Sequence, residues 1–242
     1  MITNICVYGL FPAIQGIRNS YQSKDKSDST SVGLCFFGGN VLSYNHCFLG
    51  KKDEGLIRRK ILLHNNEIGH QERKFMRQIF VGMDIKTSLK HWAQIDTYKV
   101  GTVRDSESTM HNLTLRELKQ SDFLLPITQR SLDDLNILIS LYQKTINLKP
   151  LTKTDLEYLN IVYNFDSVLE KNHCNVDSTI FAILENNLPS GFLLSSYLTC
   201  NYENLRNIYL ARKDHKMFYW EIFLKSIMYL PYAELFFKNG EN

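Results

Sequence analysis

At 242 residues, 44% of them hydrophobic, the chain is long enough to bury a sizeable core as one large domain or two small ones, and nothing in it forces a split. Its 28 basic and 25 acidic residues leave a net charge of only +3, too balanced for a general nucleic-acid binder. No apolar run approaches the length of a membrane span, and the start MITNICVYGLF has no basic leader before its apolar residues, so neither membrane insertion nor secretion is expected.

Cys6, Cys35, Cys47, Cys174 and Cys200 form no C-x-x-C pair and leave one over in any pairing. That pattern reads as small buried thiols in a reducing compartment, a cytosol. Ile5 to Leu10, ending near Gly9 and Pro12, predicts a first strand. IRNSYQSKDKSDSTS, from Ile17 to Ser31, is a polar loop whose Arg18, Ser20 and Lys24 are placed to close over a phosphate, unless the loop is simply exposed. Val32 to Phe37 and Val41 to Tyr44, around Gly38-Gly39-Asn40, predict a hairpin. A basic stretch follows at Lys51, Lys52, Arg58, Arg59 and Lys60. Gly69-His70 then stands at a turn before a short helix, and Gln78 to Ile85 has the β-branched and apolar character of a strand.

Leu89 to Thr97 is amphipathic around Trp92 and Ile95. It leads into TYKVGTVRDSESTMHNLT, where hydrogen-bonding side chains gather without a regular apolar pattern, as in binding loops and in many ordinary ones. His111 lies three residues from Ser108, but no G-x-S-x-G elbow surrounds that serine, which excludes a hydrolase triad. Ser131 is the expected cap of a helix through Leu132, Leu135, Leu138 and Tyr142. Thr154 with Glu157 matches a capping box opening TDLEYLNIVYNFDSVLEKN. Ser178 to Leu184 is a short apolar segment, and Pro189 to Ser195 reads as a turn. There is no internal repeat, Walker loop, G-x-G-x-x-G fingerprint or zinc-ligand spacing, so no metal is expected.

The most informative stretch is NYENLRNIYLARKDHKMFYWEIFLKSIMYLPYAEL, from Asn201 to Leu235. In one helix, Asn201, Leu205, Ile208 and Arg212 share a face, and the two polar ends lie roughly 16 Å apart, a span suited to two parts of a nucleotide-sized ligand. Arg206, Arg212, Lys213, Lys216 and Lys225 crowd the same region and would welcome an anion. The alternative is a pair of core helices with solvated charges, the second carrying Trp220, Phe223, Leu224 and Ile227 and stopping before Pro231.

Taken together, IRNSYQSKDKSDS, GHQERKFMRQI, DTYKVGTVRDSESTMH, LPSGFLLSSYLTCNYENLRNIYLARKDHK and W-E-I make the chain resemble the flavin-dependent thymidylate synthases, in their phage and Firmicute branch. The spacing of Asn201, Asn207 and Arg212 is the most specific part. The resemblance implies a single domain over residues 1–242 with an α/β fold, a mixed sheet with flanking helices, assembled as a homotetramer whose active sites lie between subunits. It also implies conversion of dUMP to dTMP, with FAD passing a hydride, methylenetetrahydrofolate giving the methylene group and NADPH as reductant. Carried over by residue, it implies flavin-side roles for Gly69, His70, Asn201 and Asn207, nucleotide contact by Ser108, and pyrimidine binding and polarisation by Arg212. The family's signature R-H-R-x-x-S-x-N-E-x-S-x-R-Y is departed from. With Ser108 on its second serine, Tyr98, Lys99 and Val100 stand at Arg-His-Arg, Asp105 and Ser106 at Asn-Glu, and Met110 and His111 at Arg-Tyr. The charge-assisted hydrogen bonds of the lost arginines would have to come from Lys99 or Arg104. Three readings stay open: a methylating enzyme, a catalytically silent protein that binds or sequesters a nucleotide, and a module whose basic C-terminal region meets an acidic partner.

Overall fold

The computed structural model describes residues 1–37, 41–62, 71–172 and 174–238. Two compact units divide the chain. The first comprises Met1–Lys86, His91–Ser106 and Ser195–Asn242, and the second Thr87–Lys90 and Glu107–Leu194.

The first unit is built on a mixed sheet of six strands. The strands are β1 (Ile2–Tyr8), β2 (Thr30–Phe37), β3 (Val41–Phe48), β4 (Phe80–Ser88), β5 (Val103–Ser106) and β6 (Leu193–Asn201), in the spatial order β2-β3-β1-β4-β6-β5. Period-2 alternation sends Ile5 and Val7 of β1, and Val81, Met83 and Ile85 of β4, into the core. β1 pairs parallel with β3 and antiparallel with β4. β2 and β3 form the expected antiparallel hairpin, Leu34 facing Tyr44; Gly38-Gly39-Asn40 lies outside the described residues. Gly9 turns β1 into α1 (Leu10–Ile17) with a φ of 79°, and a Cβ there would stand 2.5 Å from the Gln78 carbonyl oxygen. Only glycine meets both conditions. Leu10, Ala13, Ile14 and Ile17 of α1 are buried at helical spacing.

The Ser/Asp/Lys loop after α1 is an internal brace. Arg18 is buried and donates from Nε to Asp53, whose carboxylate also accepts from Ser27 Oγ at 2.6 Å and Ser29 Oγ at 2.6 Å. Asp28 accepts from the backbone N–H groups of Lys52 at 2.9 Å and Asp53 at 3.2 Å, satisfying the first turn of α2 (Lys51–Leu62). The expectation that Arg18 closes over a phosphate is therefore corrected: a buried guanidinium requires a buried counter-charge, and Asp53 supplies it.

Two strands escape the sequence reading. The stretch read as a turn, Pro189 to Ser195, runs into β6, and the irregular stretch after Tyr98 contains β5, with Arg104 facing Leu198 and Ser106 facing Ser196. β5 is an edge strand, largely exposed, so it needs no apolar alternation. β6 buries Ser196, whose hydroxyl donates to Ser106 Oγ at 3.0 Å.

The second unit is helical: α3 (Leu89–Ile95) begins in it, and α4 (Thr109–Asn112), α5 (Gln129–Ile146), α6 (Lys153–Tyr163), α7 (Phe165–Asn172) and α8 (Val176–Asn187) follow. Leu135, Leu138 and Ile139 of α5 and Ile180 and Leu184 of α8 lie in one buried cluster with Leu159 and Phe165. The expected caps move by a few residues. Thr128, not Ser131, caps α5, and Thr152 with Asp155, not Thr154 with Glu157, forms the capping box of α6. In the first case the threonine hydroxyl takes the Ser131 N–H itself, at 3.2 Å. The single helix expected after Thr154 breaks at Asn164, whose left-handed φ of 51° ends α6 and starts α7.

Candidate functional site

The first unit ends in three helices, α9 (Tyr202–Arg212), α10 (Phe218–Ile227) and α11 (Ala233–Phe237). α9 is fixed from inside. Tyr202 is fully buried, packs edge-on against Phe236 and Phe237, and donates to the Pro231 carbonyl at 2.9 Å. Glu203 and Arg206 are buried as well, Glu203 pairing with Arg77. Burial, with Arg73 beside it, pushes the Arg206 guanidinium down to about 10, still protonated at neutral pH. Of the five cations that crowd this stretch of sequence, Arg206 therefore belongs to the core.

Asn201 ends β6 and caps α9. Its side chain accepts from Asn204 N at 3.0 Å, and Asn204 Oδ1 accepts from Asn201 N at 3.2 Å, a reciprocal capping box. It stands one residue before the helix rather than on the face of Arg212. Asn204 also donates to the Val100 carbonyl at 2.7 Å, and Gly101, with a φ of 80°, lies so close that a Cβ would meet Asn204 Oδ1 at 3.2 Å. The Tyr98–Gly101 turn is thereby seated on the start of α9.

At the other end of α9, Arg212 donates from Nε to Tyr98 Oη at 2.9 Å. Its guanidinium lies over the Trp220 ring, 5.0 Å from the centroid, and 5.6 Å from that of Tyr98. Such cation–π contacts are worth about 0.5–2 kcal/mol according to solvation. Trp220 is itself fixed, fully buried and donating from Nε1 to Gln94 Oε1 at 2.7 Å. Behind it His91 is buried against Tyr219, Trp220 and Phe223. Burial first, then the charges of the chain's amino terminus, Arg212 and His215, push its imidazole down to about 4.

Arg212 is half-buried and lines a cavity of about 780 Å³ with Tyr209, Lys213, His215, Glu221, Leu224 and Lys225 among its walls. Cations and an apolar floor at Leu224 and Met228 make it a place for a molecule with a charged group and a flat or apolar part. Lys225 is partnered by Glu221 at 2.6 Å. A second, polar hollow of about 510 Å³ includes Ser20, Tyr21, Lys74 and the Lys60–Glu72 ion pair.

The other expected site residues fall as follows. Asn207 is half-buried on α9. Lys99 is exposed in the turn beside Tyr98. Arg104 lies over the Trp92 ring, 4.7 Å from its centroid, with Asp96 at 3.1 Å. Ser108 belongs to the second unit, where its hydroxyl caps α4 by accepting from His111 N at 3.3 Å. Gly69 and His70 lie outside the described residues. Tyr98, Gln94 and Trp220, which together set Arg212, were not singled out as a group by the sequence; a tyrosine at a position where the resemblance expects arginine was the available signal. Among the described residues no group of three metal-ligating side chains gathers, and no helix is long and apolar enough to cross a membrane.

Neither a family model nor a curated protein matches the sequence. Structural similarity is clear by contrast. Thymidylate Synthase X of Helicobacter pylori, solved with FAD and dUMP, superposes with a TM-score of 0.59 over 100% of both chains at 13% identity. The fold is that of a flavin-dependent thymidylate synthase. A second structure, flavin-dependent thymidylate synthase ThyX from the same organism complexed with FAD and dUMP, has a TM-score of 0.56 over 97% of both chains at 16% identity. The likeness of fold thus extends over the whole chain.

Proposed function

We propose that this chain is a pyrimidine-nucleotide-binding protein on the ThyX fold, with Arg212 as the cation that meets the nucleotide. One observation carries the reading: Arg212 is held at a cavity wall by Tyr98 and Trp220 instead of trailing into solvent. An arginine fixed in this way gives directed hydrogen bonds and stabilises negative charge on a bound ring. The full-length likeness to structures solved with FAD and dUMP supports it. As an enzyme, the first form of this reading, such a protein would convert dUMP to dTMP with FAD, methylenetetrahydrofolate and NADPH, as one domain over residues 1–242 within a homotetramer in a bacterial or phage-infected cytosol.

A specific observation favours the second form, a silent homologue that binds or sequesters a nucleotide. The described residues fit a flavin poorly. The Asn201 side-chain oxygen is used to cap α9, Tyr98 and Val100 replace two signature arginines, and Arg104 is engaged by Asp96 and Trp92. Asn207 and exposed Lys99 are the described groups that remain for those roles. No chemical step is therefore assigned to FAD here. The experiment is a thermal melt of the purified protein with a nucleotide panel, alongside a visible absorption spectrum and a tritium-release assay on labelled dUMP. A rise in Tm with pyrimidine nucleotide supports binding. A yellow protein that releases tritium selects the enzyme; a colourless one that binds nucleotide selects the silent form. A melt unmoved by every nucleotide overturns the proposal.

A further inference from the structure

We propose that the open face of the six-stranded sheet is a docking surface for a second copy of this chain. β2, β3 and β1 lie side by side at one end of the sheet, with β4 next to them. Ile5 and Val7 of β1 and Val41 of β3 are buried in the core, so Tyr8 and Tyr44, in the alternate register, stand on the opposite face. Strand pairing sets further apolar side chains beside them, Leu34 across from Tyr44 and Phe80 across from Tyr8, and Phe36 shares the face of Leu34. Tyr197 of β6 lies across Gly82, where a Cβ would overlap its hydroxyl. Phe36 is 78% exposed, and Leu34, Tyr44, Tyr8, Phe80 and Tyr197 are between 37% and 50% exposed. Single exposed apolar residues are ordinary, but a contiguous set on one sheet face marks a surface that a partner covers.

The chemistry of the face selects the occupant. β1, β2 and β3 contain no Asp, Glu, Lys or Arg. A nucleic acid or an anionic lipid surface needs cations to meet its phosphates, and these strands offer none. A strongly charged protein partner finds no opposite charge on them either. A second copy of the same face brings no like charge and sets aromatic side chains against aromatic side chains across a two-fold axis. The size agrees: at about 150–250 Å² for each large aromatic side chain, the six residues expose on the order of 600 Å², close to the ~800 Å² that each partner gives to a stable interface once a rim is added. The rings are also held in place before docking. Tyr8 and Tyr44 are stacked with centroids 4.8 Å apart and planes 5° apart, so little side-chain freedom remains to be lost. Two such sheets pack face to face about 10 Å apart. The surface shares no residue with the Arg212 cavity.

Sedimentation velocity of the full chain without nucleotide, across the micromolar range, tests the proposal. The native protein is expected to sediment at no less than twice the 28.2 kDa of one chain. Phe36→Glu and Leu34→Lys each place an unpaired charge in the interface and are expected to weaken association at least about tenfold. Both side chains are well exposed in the single chain, so the circular dichroism spectrum stays native and separates lost association from lost fold. Ile161→Glu, at an 83% exposed apolar position on α6, is expected to leave the mass unchanged. A native chain that is monomeric throughout the range overturns the proposal. An associated chain whose mass neither Phe36→Glu nor Leu34→Lys lowers is assembled through another surface and overturns it as well, as does an equal loss in Ile161→Glu. The nucleotide reading fails separately: association lost in Phe36→Glu while no nucleotide shifts the native melt keeps the docking surface and removes only the nucleotide. A shifted melt in a chain that stays monomeric does the reverse.

Discussion

Single residues in this protein are decided by what surrounds their charge. Asp53 is buried, and burial raises its carboxyl, but the hydrogen bonds of Ser27 and Ser29 and the Arg18 guanidinium outweigh that and hold it below the usual carboxylate range. Asp53→Ala leaves Arg18 buried without its counter-charge and is expected to cost about 3–5 kcal/mol in a urea titration. His91 works in the opposite compartment of the charge scale. With a native value of about 4 against an ordinary 6.5, the folded protein binds fewer protons than the unfolded chain between those two limits. Stability is therefore full above the unfolded value and falls as the pH drops from 6.5 to about 4, by on the order of 3 kcal/mol. Urea midpoints across that range check the slope, and His91→Phe is expected to flatten it. In the sequence Arg212 is a candidate through its spacing from Asn201 and Asn207. Its setting was not legible there, because Tyr98 lies 114 positions away.

Elements were legible where their signals are local. The β2–β3 hairpin, the α5 periodicity and the stop of α10 before Pro231 all follow from runs of a few residues. β5 and β6 did not show themselves, since an edge strand carries no apolar stripe and Ser195-Ser196 interrupts the stripe of its neighbour. Asn201 illustrates the same limit at a helix end: its place in a shared face was readable, its work as a cap was not. Asn201→Ala is expected to destabilise the protein by about 1 kcal/mol, while Asn201→Asp, which still accepts from the Asn204 N–H, stays close to the native value. Thermal melts distinguish the two. The Gly101 turn behaves differently, because its left-handed φ strains any side chain and a Cβ would press on the Asn204 amide, so Gly101→Ala should disturb Tyr98 and weaken ligand binding in the same assay.

At the scale of the molecule, the cysteines give a direct check on the fold. Among the described residues no disulfide is formed; Cys174 is exposed, while Cys47 and Cys200 are buried, burial pushing their thiols up to about 11 and about 12. A thiol reagent applied to the native protein is expected to modify Cys174 first, and Cys47 and Cys200 only on unfolding. In the second unit, Leu138→Ala should cost about 2–5 kcal/mol, the range for a fully buried leucine with no room to collapse. What the sequence by itself determined is the α/β class and most helices, because periodicity, capping and residue spacing act over a few positions along the chain. Only the tertiary structure decided the strand order, the inward turn of Arg18 and Arg206, and the clamp of Tyr98 and Trp220 on Arg212. Those depend on groups far apart in sequence meeting in a place where water is excluded, and no local pattern encodes which distant partner will satisfy a buried charge.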